Sequence, residues 1–164
     1  MDPTIVREVQ HFCRRIDRHL DRGESLGILG GPGRGKTSLA MTVPIEAMRR
    51  NRSVGVYTAP DLMTAIRKTY DDSSYTQLME SLLAVDLLHI EDLAVPRTND
   101  WVLEQLYTIV NDRYQDQRSI IFTADIESLG ELGERIGHRT ASRLIDICGE
   151  PILMHGEDYR LRPS

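Results

Sequence analysis

The sequence predicts a three-layer α/β domain, in which a mostly parallel sheet is covered by helices on both faces. Short apolar runs alternate with helical patterns along the 164 residues, and this alternation builds parallel sheets. The first apolar run leads through a glycine-rich loop into a helical pattern, which is the local context of a phosphate-binding loop. The length corresponds to about one domain.

The first predicted elements are a helix and a buried strand. Asp2 followed by Pro3 is typical of a helix start, and apolar residues then recur at helical spacing, so we expect a helix over about 3–21. The short apolar run at 25–30 predicts strand one. The helix after the glycine-rich loop is expected to reach about residue 50, with Pro44 kinking or shifting it.

The remaining elements continue the alternation. Runs of apolar and β-branched residues predict strands over about 54–58, 85–90, 119–123 and 151–154. Helical patterns cover about 60–70, 75–84, 100–115 and 135–147. In the 100–115 helix, Leu103, Leu106, Ile109 and Val110 are expected to face the core. Because the sequence contains no visible repeat or second domain, we predict a single domain spanning residues 1–164.

Residues 30–37 read GGPGRGKT, which is a complete G-x-x-x-x-G-K-[ST] phosphate loop. Its glycines let the backbone wrap around an anion with the N–H groups pointing inward, and the following helix adds its N-terminal dipole. The lysine can reach terminal phosphates, and the threonine hydroxyl can ligate Mg²⁺. The predicted nucleotide-binding residues are Gly30, Gly31, Pro32, Gly33, Arg34, Gly35, Lys36, Thr37 and Ser38.

Acidic residues follow two of the predicted strands. Glu91 and Asp92 end strand three, where one carboxylate would hold Mg²⁺, directly or through water, and the other would orient or deprotonate the attacking water. The alternative is an acidic turn. Asp125 ends strand four, near the expected γ-phosphate. His89 lies mid-strand between apolar residues, and we interpret it as a core or interface histidine rather than a catalytic one.

Three arginines recur at intervals of four residues in the last helical pattern. Arg135, Arg139 and Arg143 are expected to share one face of the predicted 135–147 helix. They could be solvated or could pair with nearby carboxylates. Alternatively, one of them could act as an arginine finger that reaches the nucleotide of a neighbouring subunit and stabilises the transition state.

Composition restricts the function classes. The net charge of −5 means that nucleic acid is not attracted by the molecule as a whole, so such binding would need a local basic patch. Arginines cluster near residues 14–22 and 49–52, where a solvated face is the expected interpretation. The two cysteines lack metal-ligand spacing. No signal peptide or bilayer-spanning apolar run is visible, so we predict a cytoplasmic protein without membrane contact.

Several segments together resemble a known family. They are the phosphate loop, the strand LLHIEDL, the helix WVLEQLYTIVNDRY, the strand SIIFTAD, the block ERIGHRTASRLIDIC and the ending GEDYR, in that order. Over about residues 20–161, the sequence resembles the AAA+ domain of DnaC-type helicase loaders, with the related IstB-type transposition ATPases close behind. The last two segments narrow the resemblance to this family, whereas the phosphate loop is shared by a whole superfamily.

The resemblance implies an AAA+ core over about 24–161, with five strands in the order 5-1-4-3-2 and no C-terminal lid domain. It implies that Lys36 and Thr37 hold ATP and Mg²⁺, and that Asp125 occupies the first sensor position. It implies Arg143 as the arginine finger, with Arg139 next. It also implies ATP-dependent homo-oligomers, contact with single-stranded DNA, and docking on a replicative helicase.

Three residues depart from the family pattern. Glu91 stands where Asp is usual, and its extra methylene is expected to move the carboxylate outward by about 1.5 Å. A misplacement of about 1 Å can cost on the order of a hundredfold in rate. Asp125 replaces the usual Asn and should repel a γ-phosphate, unless it is protonated or turned toward an arginine. Arg34 replaces a common Thr and would either offset these changes or point to solvent.

These departures predict firm binding of ATP with Mg²⁺ and weak ATP hydrolysis. The favoured hypothesis is an AAA+ ATPase that acts in DNA replication by ATP-controlled assembly on single-stranded DNA and a replicative helicase. A second hypothesis is a nucleotide-gated binding module with little hydrolysis. The third is an IstB-like transposition ATPase, which only the partner would separate from a loader.

Overall fold

The computed structural model describes residues 1–94 and 99–156 and contains a five-stranded parallel sheet. The strand order is β2-β3-β4-β1-β5, which confirms the predicted order 5-1-4-3-2. The GEDYR ending and the predicted end of the core near residue 161 lie largely outside the described residues. The strands are β1 (Leu26–Gly30), β2 (Val54–Thr58), β3 (Leu87–Glu91), β4 (Ser119–Ala124) and β5 (Ile152–Met154).

Helices cover both faces of this sheet, as the sequence predicts. The helices are α1 (Pro3–Arg14), α2 (Ile16–Arg22), α3 (Lys36–Ala40), α4 (Thr42–Arg49), α5 (Ala59–Asp72), α6 (Tyr75–Ala84), α7 (Asp100–Gln115), α8 (Leu129–Ile136) and α9 (His138–Cys148). One apolar cluster lies between the sheet and α1–α4, and a larger one lies between the sheet and α5–α9. Every residue of β1, β3 and β4 is buried.

The parallel pairings bring the carboxyl ends of the strands to one edge. Leu29 lies in register with Ala124, and Gly30 lies in register with Met154. A side chain on Gly30 would meet the Met154 carbonyl oxygen at 2.6 Å, so the close approach of β1 and β5 requires glycine there. The phosphate loop, the end of β3 and the end of β4 therefore meet at this edge.

The two helices predicted before and after β1 are each broken once. The first breaks at Arg15, whose φ of −112° and ψ of 26° leave helical geometry between α1 and α2. The second breaks at Met41 between α3 and α4. Pro44 is the third residue of α4, where its missing N–H costs nothing because the first-turn N–H groups lack helical partners. The prediction that Pro44 kinks or shifts the helix after the phosphate loop is confirmed by the break at Met41.

The helix predicted over about 135–147 corresponds to α9, but α9 begins at His138, and a separate helix, α8, ends before it at Ile136. Ser128 caps α8 by accepting a hydrogen bond from the Glu131 backbone N–H at 3.2 Å. Gly137 has a φ of +93° and separates α8 from α9. The prediction that Arg135 shares a helix face with Arg139 and Arg143 was therefore wrong, since Arg135 belongs to α8.

Two smaller expectations also need correction. Leu103 was expected in the core of α7, but it is only partly buried, and Val102 is buried instead. Strand three begins at Leu87 rather than residue 85, because Val85 still caps α6 and the Asp86 carboxylate accepts from the Ser53 backbone N–H. Within residues 1–94 and 99–156, no helix is long and apolar enough to cross a membrane.

Candidate nucleotide-binding site

The phosphate loop surrounds a cavity of about 470 Å³ at the carboxyl edge of the sheet. Gly33 and Gly35 adopt left-handed conformations, with φ of +73° and +84°, which residues with side chains rarely adopt. Gly35 leads directly into α3, so the first helical N–H groups lie beside the cavity. The lining residues are Pro32, Gly33, Arg34, Gly35, Lys36, Thr37, Ser38, Asp92 and Asp125.

Lys36 is the central cation of this cavity, and its side chain is 6% exposed. Its amine donates to the Gly31 carbonyl at 2.8 Å and lies 2.5 Å from a carboxylate oxygen of Asp125. Asp125 was expected to repel a γ-phosphate unless it was protonated or turned toward an arginine, and its carboxylate pairs with Lys36 rather than with an arginine. This pairing arises because β4 lies beside β1, so the residue after β4 reaches across the loop that follows β1.

Arg34 is also paired with a carboxylate. Its guanidinium lies 2.8 Å from Glu127 and donates to the Met154 carbonyl at 3.2 Å. The Arg34 side chain therefore does not point to solvent, and the expectation that it would do so was wrong. Both cations of the phosphate loop thus contact carboxylates from the short segment that follows β4.

Glu91 points into the protein rather than outward. One carboxylate oxygen accepts from the hydroxyls of Thr37 at 3.0 Å and Thr123 at 2.7 Å, and the other lies 2.6 Å from His89 Nε2. Burial works to raise the pKa of Glu91, but hydrogen bonds from these partners outweigh it and lower that pKa. The expected outward displacement was wrong, because the longer side chain folds against three donors.

Asp92 follows Glu91 in a left-handed conformation, with φ of +55°, and its side chain lines the cavity. Its backbone N–H donates to the Thr123 hydroxyl at 3.1 Å, which fixes this turn. Burial, followed by the nearby charges of Asp125 and Glu91, raises the pKa of Asp92. A raised pKa makes a carboxylate a better proton acceptor.

The residues present fit a Mg²⁺–nucleotide complex at this edge. Because Thr37 donates its hydroxyl hydrogen to Glu91, the lone pairs of its oxygen remain available for a metal. Asp92 adds a carboxylate that is exposed to the same cavity. Hydroxyl and carboxylate oxygens, completed by phosphate oxygens and water, are the usual surroundings of Mg²⁺.

The three candidate finger arginines do not line this cavity. Arg139 stacks over the Tyr107 ring at 4.0 Å, and Arg143 stacks over the Tyr114 ring at 4.7 Å. Arg135 pairs with a carboxylate on its own helix, Glu131, at 3.2 Å. Arg139 and Arg143 therefore lie along the contact of α9 with α7.

Sequence reasoning did not assign His89 or Glu127 to the site, although both contact its residues. His89 was interpreted as a core histidine, and it is fully buried. Successive residues of a strand alternate between its faces, so the two-residue spacing of His89 and Glu91 placed them on one face. This spacing was the available signal. Glu127 gave no comparable signal, because its contact depends on how the segment after β4 crosses the loop.

The fold and this site define a class, the P-loop NTPases with an AAA+ strand order. More particularly, the chain belongs to the family of IstB-like ATP-binding proteins, whose family model matches residues 7–164. The segments quoted above, from LLHIEDL to the SRL block, lie within that match.

The relatives that the chain matches include ATP-binding proteins of insertion sequences and a replicative helicase loader. The chain is 29% identical over 147 residues to a putative ATP-binding protein of insertion sequence IS5376 from Geobacillus stearothermophilus, covering 87% of this chain and 58% of that protein. It is 32% identical over 115 residues to the replicative helicase loader DnaC of Escherichia coli strain K12. This match covers 67% of this chain and 47% of DnaC. The chain thus spans about half the length of the curated relatives it matches.

A solved structure also shares the fold. The crystal structure of the DnaC helicase loader matches with a TM-score of 0.81 and 22% identity, covering 90% of this chain and 86% of that one.

Proposed function

We propose that this domain binds ATP with Mg²⁺ at the phosphate loop and hydrolyses ATP slowly. The observation that carries the proposal is the position of Lys36, whose nearly buried amine lies beside the loop carbonyl of Gly31. A buried ammonium group is costly unless anions or dipoles surround it, and a triphosphate supplies such anions. Membership of an ATP-binding family supports the choice of nucleotide.

In the proposed reaction, the residues of the cavity bind the phosphates, hold the metal and position the attacking water. Backbone N–H groups of residues 33–38 and the Lys36 amine bind the phosphates. Thr37 and Asp92 would hold Mg²⁺, with Glu91 orienting the Thr37 hydroxyl, and the bound ion would supply positive charge for the transferred phosphoryl group. Asp92 also orients or deprotonates the attacking water, a role that its raised pKa favours.

Slow hydrolysis is proposed because the cavity carries much negative charge of its own. Asp92 and Asp125 line it, and Asp125 pairs with the lysine that the γ-phosphate requires. A phosphoryl group must compete with that carboxylate for Lys36. The competing proposal, a nucleotide-gated binding module, shares the binding step and differs only in having no useful hydrolysis.

We further propose that ATP drives formation of homo-oligomers in which Arg143, or next Arg139, reaches a neighbour's nucleotide. The support is that both arginines lie outside their own subunit's cavity and rest on aromatic rings rather than carboxylates. A guanidinium on a ring retains its full charge. Arg143 donates through Nε to Asn111 Oδ1 at 3.4 Å, which leaves its terminal N–H groups for a phosphate oxygen.

A surface aromatic cluster supports the proposed contact with single-stranded DNA. Tyr70 is 55% exposed and accepts a hydrogen bond from the Trp101 indole at 3.1 Å, and its ring stacks near Tyr75. The Arg67 guanidinium lies 4.6 Å from the Trp101 ring centre. Exposed rings beside a cation provide stacking surfaces for unpaired bases and a partner for phosphate.

The proposed biological role is helicase loading in DNA replication, with a replicative helicase as partner. The likeness to the DnaC helicase loader supports it. The likeness to an insertion-sequence protein at similar identity supports the alternative, a transposition ATPase. The two roles share the ATP site and the DNA contact, so the partner protein distinguishes them.

Two measurements test the proposal. Calorimetry should detect ATP binding in the presence of Mg²⁺ and its loss in Lys36→Ala, whereas heat that is unchanged in this variant would refute the site. Size measurement with ATP and a single-stranded oligonucleotide should detect growth of the particle. A monomer under all conditions would refute the assembly step and favour the gated module.

A further inference from the structure

We propose that His89 is a positioning residue, which holds the Glu91 carboxylate so that Thr37 presents its oxygen to Mg²⁺. This inference rests on the proposed function and adds a residue that the phosphate loop and the acidic pair do not include. The relevant cluster joins three elements: His89 and Glu91 from β3, Thr123 from β4 and Thr37 from α3.

The first argument is geometric. His89 and Glu91 alternate along β3 and project from the same face, and their contact joins Nε2 to a carboxylate oxygen at 2.6 Å. The other oxygen of Glu91 accepts hydrogen bonds from two hydroxyls, as a carboxylate with no hydrogen of its own does. Nε2 of the imidazole must therefore carry the hydrogen and donate it.

The second argument concerns the cost of a histidine at this position. His89 is fully buried in the central part of the sheet, in register with Val56 on one side and Ile121 on the other. Its Nδ1 atom has no hydrogen-bond partner among the described residues. A buried, unpaired polar atom destabilises the fold, and leucine or valine would avoid that cost. The donation to Glu91 is therefore what the imidazole contributes here.

The third argument follows from the length of the glutamate. A glutamate has one more rotatable bond than an aspartate, so its carboxylate has more freedom unless something restrains it. His89 restrains one oxygen, which leaves the other to accept from Thr37 and Thr123. A fixed acceptor directs the Thr37 hydroxyl hydrogen away from the cavity. The lone pairs of that hydroxyl then face the position where Mg²⁺ would bind.

The experiment measures affinity for a fluorescent ATP analogue, once with Mg²⁺ and once with excess EDTA, together with thermal unfolding without nucleotide. For His89→Leu, the gain in affinity produced by Mg²⁺ should fall by about tenfold, the usual cost of losing a partner that orients a metal ligand. Affinity in EDTA should stay within about twofold. The unfolding temperature should fall only slightly, because removal of the unpaired Nδ1 atom offsets part of the cost of leaving a Glu91 oxygen without its donor.

Two further variants keep the test decisive. His89→Gln retains a donor near the Nε2 position and should restore most of the Mg²⁺-dependent gain. Leu87→Val changes a fully buried neighbour on the same face of β3 without contacting Glu91, and should leave the gain unaltered. In a Glu91→Gln background, His89→Leu should have little further effect, because the anchored carboxylate is already absent.

The outcomes are distinguishable. An unaltered Mg²⁺-dependent gain in His89→Leu, or an equal loss in Leu87→Val, would overturn the positioning role while leaving the nucleotide site in place. Failure of His89→Gln to recover any of the gain would also count against it. Absence of nucleotide binding by the unaltered protein would refute the proposed function and this inference with it.

Discussion

The phosphate-loop cavity and the α7–α9 face both present cations, but they hold these cations differently. In the cavity, Lys36 and Arg34 contact the carboxylates of Asp125 and Glu127. On the α7–α9 face, Arg139 and Arg143 lie over tyrosine rings. Carboxylates neutralise a cation, whereas rings hold it with its charge uncompensated. An anion entering the cavity must therefore displace a carboxylate, while an anion reaching α9 need not.

The largest expected effect is on the cavity side of this comparison. Lys36→Ala should weaken ATP binding by about a thousandfold, because two charge-assisted hydrogen bonds to phosphate are worth about 4 kcal/mol together. Calorimetry with Mg²⁺ present would measure it. Lys68→Ala removes the same charge from an exposed position on α5 outside the cavity and serves as the control. An affinity loss in Lys36→Ala of less than about tenfold would contradict the central role of the lysine.

The next effect separates the two regions. Arg143→Ala should leave the affinity of the isolated subunit for ATP nearly unchanged, since Arg143 does not line its own cavity. It should reduce ATP turnover by the assembled protein by about a hundredfold, below the usual range for an arginine finger because hydrolysis is already slow. Turnover at saturating ATP and equilibrium binding at low protein concentration are the two measurements.

The control for Arg143 is Arg135→Ala. Arg135 is an arginine of the neighbouring helix that pairs with its own carboxylate, so turnover should not change. An equal loss of subunit affinity in Arg143→Ala would place the residue in its own subunit's site. That result would remove the distinction between the two regions.

A smaller effect tests the carboxylates of the cavity. Asp125→Asn should tighten ATP binding by about fivefold, because an ion pair with a half-exposed partner contributes about 1 kcal/mol. In Lys36→Ala, the same substitution should have almost no effect, because the competition for the lysine has gone. Titration with a fluorescent ATP analogue would measure both, and a gain that persists without Lys36 would indicate general charge repulsion instead.

The control for this prediction is Glu127→Gln, which removes a charge from the same segment but is paired with Arg34 rather than Lys36. We expect a smaller gain in affinity than for Asp125→Asn. Equal gains from the two variants would contradict a direct competition between Asp125 and the γ-phosphate.

The sequence predicted the sheet and the loop well, because both depend on local patterns. The spacing from Gly30 to Thr37 sets the loop, and the apolar runs set the order of elements along the chain. The break at Gly137 could also have been anticipated, since glycine often ends a helix. The periodic arginines at 135, 139 and 143 instead favoured one continuous helix.

The partners of the site residues could not be predicted in the same way. The pairing of Lys36 with Asp125, and of Arg34 with Glu127, depends on β4 lying beside β1, which brings together residues about ninety positions apart. Neither pattern nor spacing encodes which of several nearby carboxylates a long side chain reaches. The stacking of Arg143 on Tyr114 similarly depends on the crossing of α7 and α9.

The smallest expected effect sharpens the comparison at the α7–α9 face. Tyr114→Leu removes the ring under Arg143, an interaction worth about 0.5–1 kcal/mol, so turnover by the assembled protein should change by about threefold. The direction is informative. If the ring keeps the Arg143 guanidinium in the orientation that reaches the neighbour's nucleotide, turnover should fall. If the ring instead competes with that nucleotide for the guanidinium, turnover should rise.

Tyr107→Leu makes the matched change under Arg139. Because Arg143 is the first candidate finger, the change at 107 should be smaller, and the opposite ranking would transfer the finger role to Arg139.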